Sequence, residues 1–303
     1  MQDEPTLDVV LCGDAGVARP TGVVIRSIVK SSQEPHRLRF TCLTTGWSVQ
    51  ERRFVERAAG AANLSVHDLS STRLPSMHAG AFVPQGAYLR FATPMYVEQS
   101  RALYVDSDVI VRRDLSALWA EDLRGHSTGA CRAGSTPFIG SPGAVEGWRR
   151  LGLEPSAPAL NSGVLLMDLD AWREQRLSER AFAVALEHGS SFRLADQATL
   201  NVVLNGDWHA LHPTWNAASG VFEDDKGLFA VEADERIAEA ARDPSIVHFT
   251  GPRKPWRHYV DRPFIGEWRS TSQELGWAPW EEPVPLRVRA SRAEHLLRRR
   301  LRR

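Results

Sequence analysis

Strand-like and helix-like segments alternate through the first third of this 303-residue chain. The apolar run at residues 7–12 predicts a strand, and residues 19–30, with Pro20 in the first turn, predict a helix. Further strands are predicted at residues 38–43, 64–69 and 103–105, and further helices at residues 49–59 and 85–93. This alternation predicts an α/β protein with a single, mostly parallel central sheet flanked by helices.

Two carboxylates directly follow the strand predicted at residues 103–105. Asp106 and Asp108 would be costly at the end of a buried strand unless a cation meets them, and Mg²⁺ or Mn²⁺ suits such oxygen ligands. A chain of this size contains about one Asp-x-Asp by chance, so a solvated strand end also fits the motif alone. Asp14 follows the first strand, and ligands of parallel sheets bind beyond the carboxyl ends of the strands. The pattern therefore predicts that all three acids lie at one edge of the sheet.

Three polar segments in the second half of the chain are further candidates. Asn161 precedes an apolar strand, Asp196 and Gln197 precede a helical segment, and His248 ends a predicted strand. Each has a simpler structural interpretation, because Asn161 fits a turn, Asp196 fits a helix N-cap, and a lone histidine is more often structural than a ligand. Lys254, one of only three lysines, follows His248 in a Gly/Pro loop where it could approach a phosphate.

The overall composition excludes several classes of protein. Lys and Arg total 37 against 37 Asp and Glu, so no global positive charge favours nucleic acid. The three cysteines have no metal-site spacing and predict buried thiols in a reducing compartment. No apolar run approaches the ~20 residues of a membrane span, and the polar N-terminus does not resemble a signal peptide. These features predict a cytoplasmic protein.

Four motifs, in order and in strand context, resemble those of glycosyltransferase family 8. They are Leu-Tyr-Val-Asp-Ser-Asp-Val-Ile-Val at residues 103–111, Leu-Asn-Ser-Gly-Val-Leu-Leu-Met-Asp-Leu-Asp-Ala-Trp-Arg at 160–173, Asp-Gln-Ala-Thr-Leu-Asn at 196–201, and His-Phe-Thr-Gly-Pro-Arg-Lys-Pro-Trp at 248–256. The resemblance extends from about Val9 to Trp256 and includes bacterial lipopolysaccharide galactosyl- and glucosyltransferases and, more distantly, glycogenin. It implies a GT-A fold, a nucleotide-sugar donor that is usually a UDP-hexose, retention of anomeric configuration, and Mn²⁺.

The resemblance also implies a role for each candidate residue. Asp106, Asp108 and His248 would ligate the metal, and the imidazole favours Mn²⁺ over the alternative ion Mg²⁺. The residues implied in donor binding are Asp14, Arg90, Ser107, Asn161, Asp196, Gln197, Gly251 and Lys254. For the catalytic residues Asp196 and Gln197, we hypothesise a front-face transfer in which Gln197 or the Asp196 carboxylate steadies oxocarbenium charge. The leaving phosphate would then take the acceptor's proton.

The chain departs from the family pattern after the first strand. Family members usually carry Asn and an aromatic residue shortly after the aspartate, whereas Gly16 and Val17 stand here. The donor base is therefore left open, with His36 and Trp47 as candidate replacement rings.

The C-terminal region is predicted to be separate from the catalytic part. Residues 1–262 would form the GT-A catalytic domain, and residues 263–303 a helical extension with an arginine-rich tail from Arg287 to Arg303. This tail fits a basic helix at the inner membrane surface, which would suit a lipid-linked acceptor, and it fits a solvated chain end equally well. The acceptor could instead be another glycan, a small molecule or a peptide.

Two other functional classes stay open at this stage. A haloacid-dehalogenase-like phosphatase would use Asp106 and Asp108, but its motif normally opens the domain, whereas about a hundred residues precede it here. A catalytically inactive sugar-nucleotide-binding protein of the same fold is the other alternative, although every expected metal and phosphate contact is present.

Overall fold

The structure is a computed structural model that describes residues 6–72, 85–222, 235–257 and 262–281. The arginine-rich tail from Arg287 to Arg303 lies outside the described residues. The strands in the described part are β1 Leu7–Asp14, β2 Leu38–Thr45, β3 Asn63–Asp68, β4 Arg101–Val105, β5 Val109–Val111, β6 Thr128–Arg132, β7 Leu160–Asp168, β8 His209–Ala210, β9 Ala217–Ala218 and β10 Ile246–His248.

The helices follow the local sequence closely. Ser48 and Glu51 form a capping box at the start of the second helix, and Gly60, at φ 63°, ends it. The α-helices of the described ranges are α1 Ala18–Ser31, α2 Val49–Ala59, α3 Thr93–Tyr96, α4 Ser116–Trp119, α5 Leu169–Glu174, α6 Leu177–His188, α7 Ala195–Leu204, α8 Ser219–Phe222, α9 Glu235–Arg242 and α10 Ile265–Glu274. The helix predicted at residues 85–93 is largely a 3₁₀ helix, Gln85–Ala92, which leads into α3.

The central sheet has seven strands in the order β3-β2-β1-β4-β7-β6-β8. The first four strands in this order are parallel, β7 runs antiparallel to both β4 and β6, and β6 pairs in parallel with β8. Apolar clusters cover both faces of the sheet, which explains why β1 and β4 are almost continuous apolar runs. The predicted α/β class and mostly parallel, helix-flanked central sheet are confirmed.

A second, three-stranded sheet adjoins the central one in the order β5-β10-β9. The chain leaves the central sheet after Val105, turns through Asp106-Ser107-Asp108, and enters β5, which pairs antiparallel with β10. The backbone N–H of Phe249 donates to the carbonyl of Asp108 at 2.9 Å. The Asp-x-Asp segment is therefore the junction between two sheets, which the sequence pattern did not predict.

Helix α10 packs onto the main body of the protein. Trp268 is fully buried in a cluster with Val23, Ile110 and Phe249, and Trp277 and Trp280 pack against it. These three tryptophans therefore pack together in one apolar cluster. The proposed boundary at residue 262 stays a prediction, and α10 shares apolar contacts with α1 and the second sheet across it.

The three cysteines are buried, as predicted. Cys12, Cys42 and Cys131 are buried free thiols, and burial raises the pKa of each thiol. None of the helices in the described ranges combines the length and apolar character needed to cross a bilayer.

Candidate functional site

Three candidate metal ligands meet where the two sheets join. Asp106 follows β4, Asp108 precedes β5, and His248 ends β10, where it lies opposite Val109. Each offers one ligand atom, and these atoms lie within 4.8 Å of one another. The Nε2 atom of His248 lies 3.1 Å from Oδ1 of Asp108 and 3.6 Å from Oδ2 of Asp106. Two carboxylates and one imidazole suit a divalent transition-metal ion, so this cluster could bind one.

The carboxylate of Asp106 is held in one orientation by neighbouring donors. Tyr104 Oη donates to Asp106 Oδ1 at 2.6 Å, and Arg90 Nη2 donates to the same oxygen at 2.9 Å. The other oxygen, Oδ2, is left facing His248. Oδ1 of Asp106 therefore accepts the two hydrogen bonds that fix the carboxylate, and Oδ2 faces the candidate ligand His248.

Arg90 is a buried cation between two carboxylates. Its side chain is 4% exposed, and Nη2 lies 2.9 Å from Asp106 Oδ1 and 3.1 Å from Asp196 Oδ2. Nη1 also donates to the carbonyl of Ser162 at 2.7 Å, and the guanidinium stacks over the Tyr104 ring at 4.4 Å. Burial raises the pKa of Asp196, although attraction to Arg90 opposes that change. Arg90 thus joins the metal cluster to the segment predicted to bind sugar.

Lys254 reaches the same cluster from the loop after β10. Its Nζ contacts Asp108 Oδ2 and lies 3.3 Å from the carbonyl oxygen of Phe249. Burial alone would raise the pKa of Asp108, but attraction to Lys254 and His248 outweighs burial and holds the pKa of that carboxyl well below its usual range. The Asp108 carboxylate is therefore ionised at neutral pH and is a candidate ligand.

Gly163 on β7 makes room for the cluster. A Cβ atom at this position would lie 2.1 Å from His248 Cε1, 2.6 Å from His248 Nδ1 and 3.0 Å from Asp106 Oδ2. Its carbonyl also accepts from Asp106 N at 2.8 Å, which ties β7 to the start of the acidic turn. A glycine within a strand often marks such a close approach.

Gly163→Ala should therefore displace the His248 ring and weaken Mn²⁺ binding by at least about tenfold, a loss typical of a misoriented metal ligand. The affinity can be measured by titration calorimetry. Gly266→Ala is the matched control, because a Cβ there meets no described atom within 4 Å and Gly266 lies in helix α10. Equal Mn²⁺ affinities for the two variants would contradict the assigned role of Gly163.

The residues predicted to bind sugar surround the start of β7. Ser162 Oγ lies 3.1 Å from Asp196 Oδ2, and Ser162 N donates to Gln197 Oε1 at 3.4 Å. Asn161 Oδ1 accepts from Gly163 N at 3.0 Å. Asp196 lies in the first turn of α7, where no side-chain cap was found, so the N-cap interpretation of Asp196 is wrong. The structure brings Asn161, Asp196 and Gln197 together, and their binding roles stay predictions.

The remaining predicted donor contacts lie along the same edge. Asp14 ends β1, and its Oδ1 accepts from Gly16 N at 2.9 Å. Ser107 is buried, and its hydroxyl meets Thr21 Oγ1 at 3.0 Å and the carbonyl of Cys12 at 3.4 Å. Gly251 has a φ of 80° in the exposed turn after β10. The structure places all three at this edge, although the Ser107 hydroxyl is already used within the core.

The two candidate replacement rings for the donor base fare differently. His36 lies just before the amino end of β2, at the opposite edge of the sheet from Asp14. Trp47 lies beside Asp14 and donates from Nε1 to its carbonyl at 3.0 Å, but its side chain is buried. Neither ring is exposed at the edge of the sheet where Asp14 lies, so neither is positioned to stack on the donor base.

Three residues that lie against the candidate metal ligands were not predicted from the sequence. Tyr104 and Gly163 lie inside recognised motifs, and the isolated glycine in the β7 strand pattern is the feature that could have identified Gly163. Asn216 lies at the end of a 3₁₀ turn, Pro213–Asn216, and its Oδ1 is 2.8 Å from His248 Nδ1. Nothing in the local sequence marked Asn216.

Comparison with known protein families decides the identity of the fold and the enzyme class. The family model for glycosyl transferase family 8 matches residues 8–259. The chain belongs to glycosyltransferase family 8. Membership of this family makes the chain a glycosyltransferase and contradicts the phosphatase alternative.

The similar proteins include bacterial glycosyltransferases. General stress protein A of Bacillus subtilis is 24% identical over 275 residues, covering 88% of this chain and 93% of that protein. The lipopolysaccharide 1,2-glucosyltransferase of Escherichia coli is 26% identical over 202 residues, covering 65% of this chain and 56% of that protein. The crystal structure of the galactosyltransferase LgtC with donor and acceptor sugar analogs has a TM-score of 0.71 and 21% identity, covering 94% of this chain and 99% of LgtC. These similarities confirm the predicted GT-A fold.

Proposed function

We propose that this protein is a retaining, metal-dependent glycosyltransferase. It transfers a hexose, glucose or galactose, from a nucleotide sugar, with UDP as the expected nucleotide, to an acceptor hydroxyl. The observation that carries the proposal is the Asp106–Asp108–His248 cluster, joined through Arg90 to the carboxylate of Asp196. Within a family 8 fold, these contacts support a cation site that adjoins the residues proposed to bind the sugar.

Asp106, Asp108 and His248 would hold the metal ion. The mixed oxygen and nitrogen ligand set favours Mn²⁺ over Mg²⁺. When bound, the ion would supply positive charge that stabilises the nucleotide diphosphate as leaving group. The hydrogen-bonded oxygen of Asp106 and the ionised carboxylate of Asp108 would keep this ligand set in place.

Lys254 and Gly251 would contribute the protein's own contacts to the diphosphate. The Lys254 ammonium already lies against Asp108, and its side chain is 24% exposed, so a modest rotation would bring it to a phosphate oxygen. The positive φ of Gly251 lets the backbone turn sharply beside it. Negative charge on the leaving diphosphate would thus be stabilised by both the metal ion and Lys254. Such electrostatic stabilisation is a large contribution to catalysis in sites of this kind.

Asp196 is held in a way that disfavours a nucleophilic role. Its Oδ2 contacts both Arg90 and Ser162, and the side chain is buried. These contacts support a front-face transfer, in which Asp196 and Gln197 steady the sugar's positive charge and the leaving phosphate accepts the proton from the acceptor hydroxyl. Mass spectrometry of enzyme quenched during turnover tests this point, because a glycosyl group covalently attached to Asp196 would contradict it.

For the donor base we propose one contact, and for the acceptor only its chemical class. Asp14 would accept a hydrogen bond from the base, with one carboxylate oxygen already bound to Gly16 N. The acceptor would be a glycan, a lipid-linked saccharide or a small molecule. The tail from Arg287 to Arg303 would bring the enzyme to anionic lipid at the cytoplasmic face, if the acceptor is lipid-linked.

A donor screen tests the proposed function. Purified protein is incubated with Mn²⁺ and a panel of nucleotide sugars that varies both base and hexose, and nucleotide release is followed with and without EDTA. We expect Mn²⁺-stimulated release from UDP-glucose or UDP-galactose and loss of release with EDTA. Failure of every donor to bind or to be hydrolysed would support the inactive-protein alternative instead.

A further inference from the structure

Asn216 contacts the candidate metal ligand His248 on the side of the imidazole ring that faces away from Asp106 and Asp108. The 3₁₀ turn that contains it leads into β9, and β9 pairs in parallel with β10, so that Ala218 lies beside His248. The Asn216 side chain is buried, with Oδ1 2.8 Å from His248 Nδ1 and Nδ2 2.8 Å from Asn161 Oδ1. Asn216 therefore bridges a predicted metal ligand and a predicted sugar ligand.

The backbone N–H of Gly163 determines the direction of the three hydrogen bonds that link Gly163, Asn161, Asn216 and His248. Gly163 N–H can only donate, so the Asn161 atom that it meets 3.0 Å away is the carbonyl oxygen. That oxygen must receive the second bond from the amide nitrogen of Asn216. The remaining Asn216 atom is then its oxygen, which can only accept, so the proton of this contact belongs to Nδ1 of His248.

The consequence concerns the other nitrogen of the histidine ring. With Nδ1 protonated, neutral His248 keeps its lone pair on Nε2, and Nε2 is the atom that faces Asp106 and Asp108. A ligating histidine usually owes its orientation and tautomer to a partner on its other nitrogen. Asn216 has the position and the acceptor atom for that role.

We propose that Asn216 is a positioning residue that holds His248 in the metal-binding tautomer and, through Asn161, couples the metal site to the sugar pocket. This inference rests on the proposed metal-dependent function. Asn161 uses its oxygen for Gly163 and Asn216, which leaves its Nδ2 group as the donor available to a sugar hydroxyl. The amide of Asn216 would thus orient one group for the metal and another for the donor sugar.

Three variants separate these roles without relying on turnover. Asn216→Leu keeps the number and branching of the heavy side-chain atoms but removes both hydrogen bonds. Asn216→Asp keeps an acceptor for His248 Nδ1 but cannot donate to Asn161. Thr128→Val is the control for general loss of stability, because it removes a buried 3.0 Å hydrogen bond with Trp172 near the opposite edge of the sheet. Mn²⁺ affinity is measured by calorimetry, imidazole ligation by pulsed EPR of the ¹⁴N coupling to Mn²⁺, and folding by circular dichroism.

We expect Asn216→Leu to weaken Mn²⁺ binding by about 10- to 100-fold and to diminish the ¹⁴N coupling. Asn216→Asp should weaken Mn²⁺ binding much less than Asn216→Leu does, since a carboxylate also serves as partner of a ligating histidine. It should still bind the donor sugar nucleotide more weakly, because the contact to Asn161 is lost. Thr128→Val should retain the wild-type Mn²⁺ affinity.

Two results would overturn this inference while leaving the proposed function intact. One is wild-type Mn²⁺ affinity and ¹⁴N coupling in folded Asn216→Leu; the other is equal weakening by Asn216→Leu and Asn216→Asp. A wild-type protein that binds no Mn²⁺ would instead contradict the proposed metal site, and with it the role of Asn216.

Discussion

Replacing Asp108 by alanine or asparagine should abolish sugar transfer and metal-dependent donor binding while leaving the fold intact. Asp108 supplies one of three ligands, and its carboxylate is also the contact for Lys254. We expect kcat/KM to fall by about 10³-fold or more, since each 1.36 kcal/mol lost from transition-state stabilisation costs about tenfold and a metal supplies several kcal/mol. Steady-state kinetics with Mn²⁺ and calorimetric donor titration measure the two effects.

The fold should survive this change because the groups left behind can adapt. Lys254 is partly exposed and can turn its ammonium to solvent, and Asp108→Asn keeps the shape of the side chain. Asp68→Asn is the control, since Asp68 forms a half-exposed ion pair with Arg52 away from the cluster. Retained turnover in folded Asp108→Asn would show that the metal assignment is wrong.

Replacing Arg90 by methionine should produce the largest loss of stability among substitutions at the site. The change leaves Asp106 and Asp196 without their shared cation, and Asp196 is buried. Removing one partner of a buried ion pair typically costs about 3–5 kcal/mol. Urea unfolding followed by circular dichroism measures the free energy of unfolding. Arg52→Met, which breaks the surface pair with Asp68, should cost only about 0–1 kcal/mol.

The cost of losing Arg90 should also depend on pH in a definite direction. Burial already raises the pKa of Asp196, and loss of the Arg90 charge would raise it further. A carboxyl group whose pKa is raised by folding reduces stability above its unfolded pKa, near ~3.9, and the reduction disappears as pH falls below that value. The difference in unfolding free energy between wild type and Arg90→Met should therefore be larger at pH 7.5 than at pH 4.5. A difference that is constant or grows toward acid pH would contradict the buried-pair account.

Much of the first half of the fold was predictable because its determinants are local. The predicted strand at residues 38–43 lies within β2, and the predicted helix Val49–Ala59 matches α2. Ser48 and Glu51 form the capping box of α2, so the start of this helix depends on residues that are close together in sequence. The apolar runs of β1 and β4 indicated strands, and apolar clusters cover both faces of these strands in the structure. The second sheet was not predicted, because β5, β9 and β10 have only two or three residues each and pair only through distant segments.

The candidate site was predicted unevenly for a similar reason. Family resemblance pointed to Asp106, Asp108 and His248 as one ligand set, and the structure brings them together at the sheet junction. The ion pair from Arg90 to Asp196 was not predicted, since it depends on the 3₁₀ helix before β4 approaching the start of α7. Tyr104 and Asn216 were missed, because their roles consist of hydrogen bonds to ligands rather than of any pattern in their own segments.

The α/β class, the apolar strands of the central sheet and the chemical types of group at the site were all predictable from the amino-acid sequence alone. These properties follow from periodicity, capping residues and motif content, all of which act over a few neighbouring residues. Which atoms of those groups face one another depends instead on the tertiary packing. The orientation of Asp106 and the tautomer assigned to His248 arise from Tyr104, Arg90 and Asn216, which come from three different elements. Hydrogen bonds act over about 3 Å, so their partners are set by packing rather than by position along the chain.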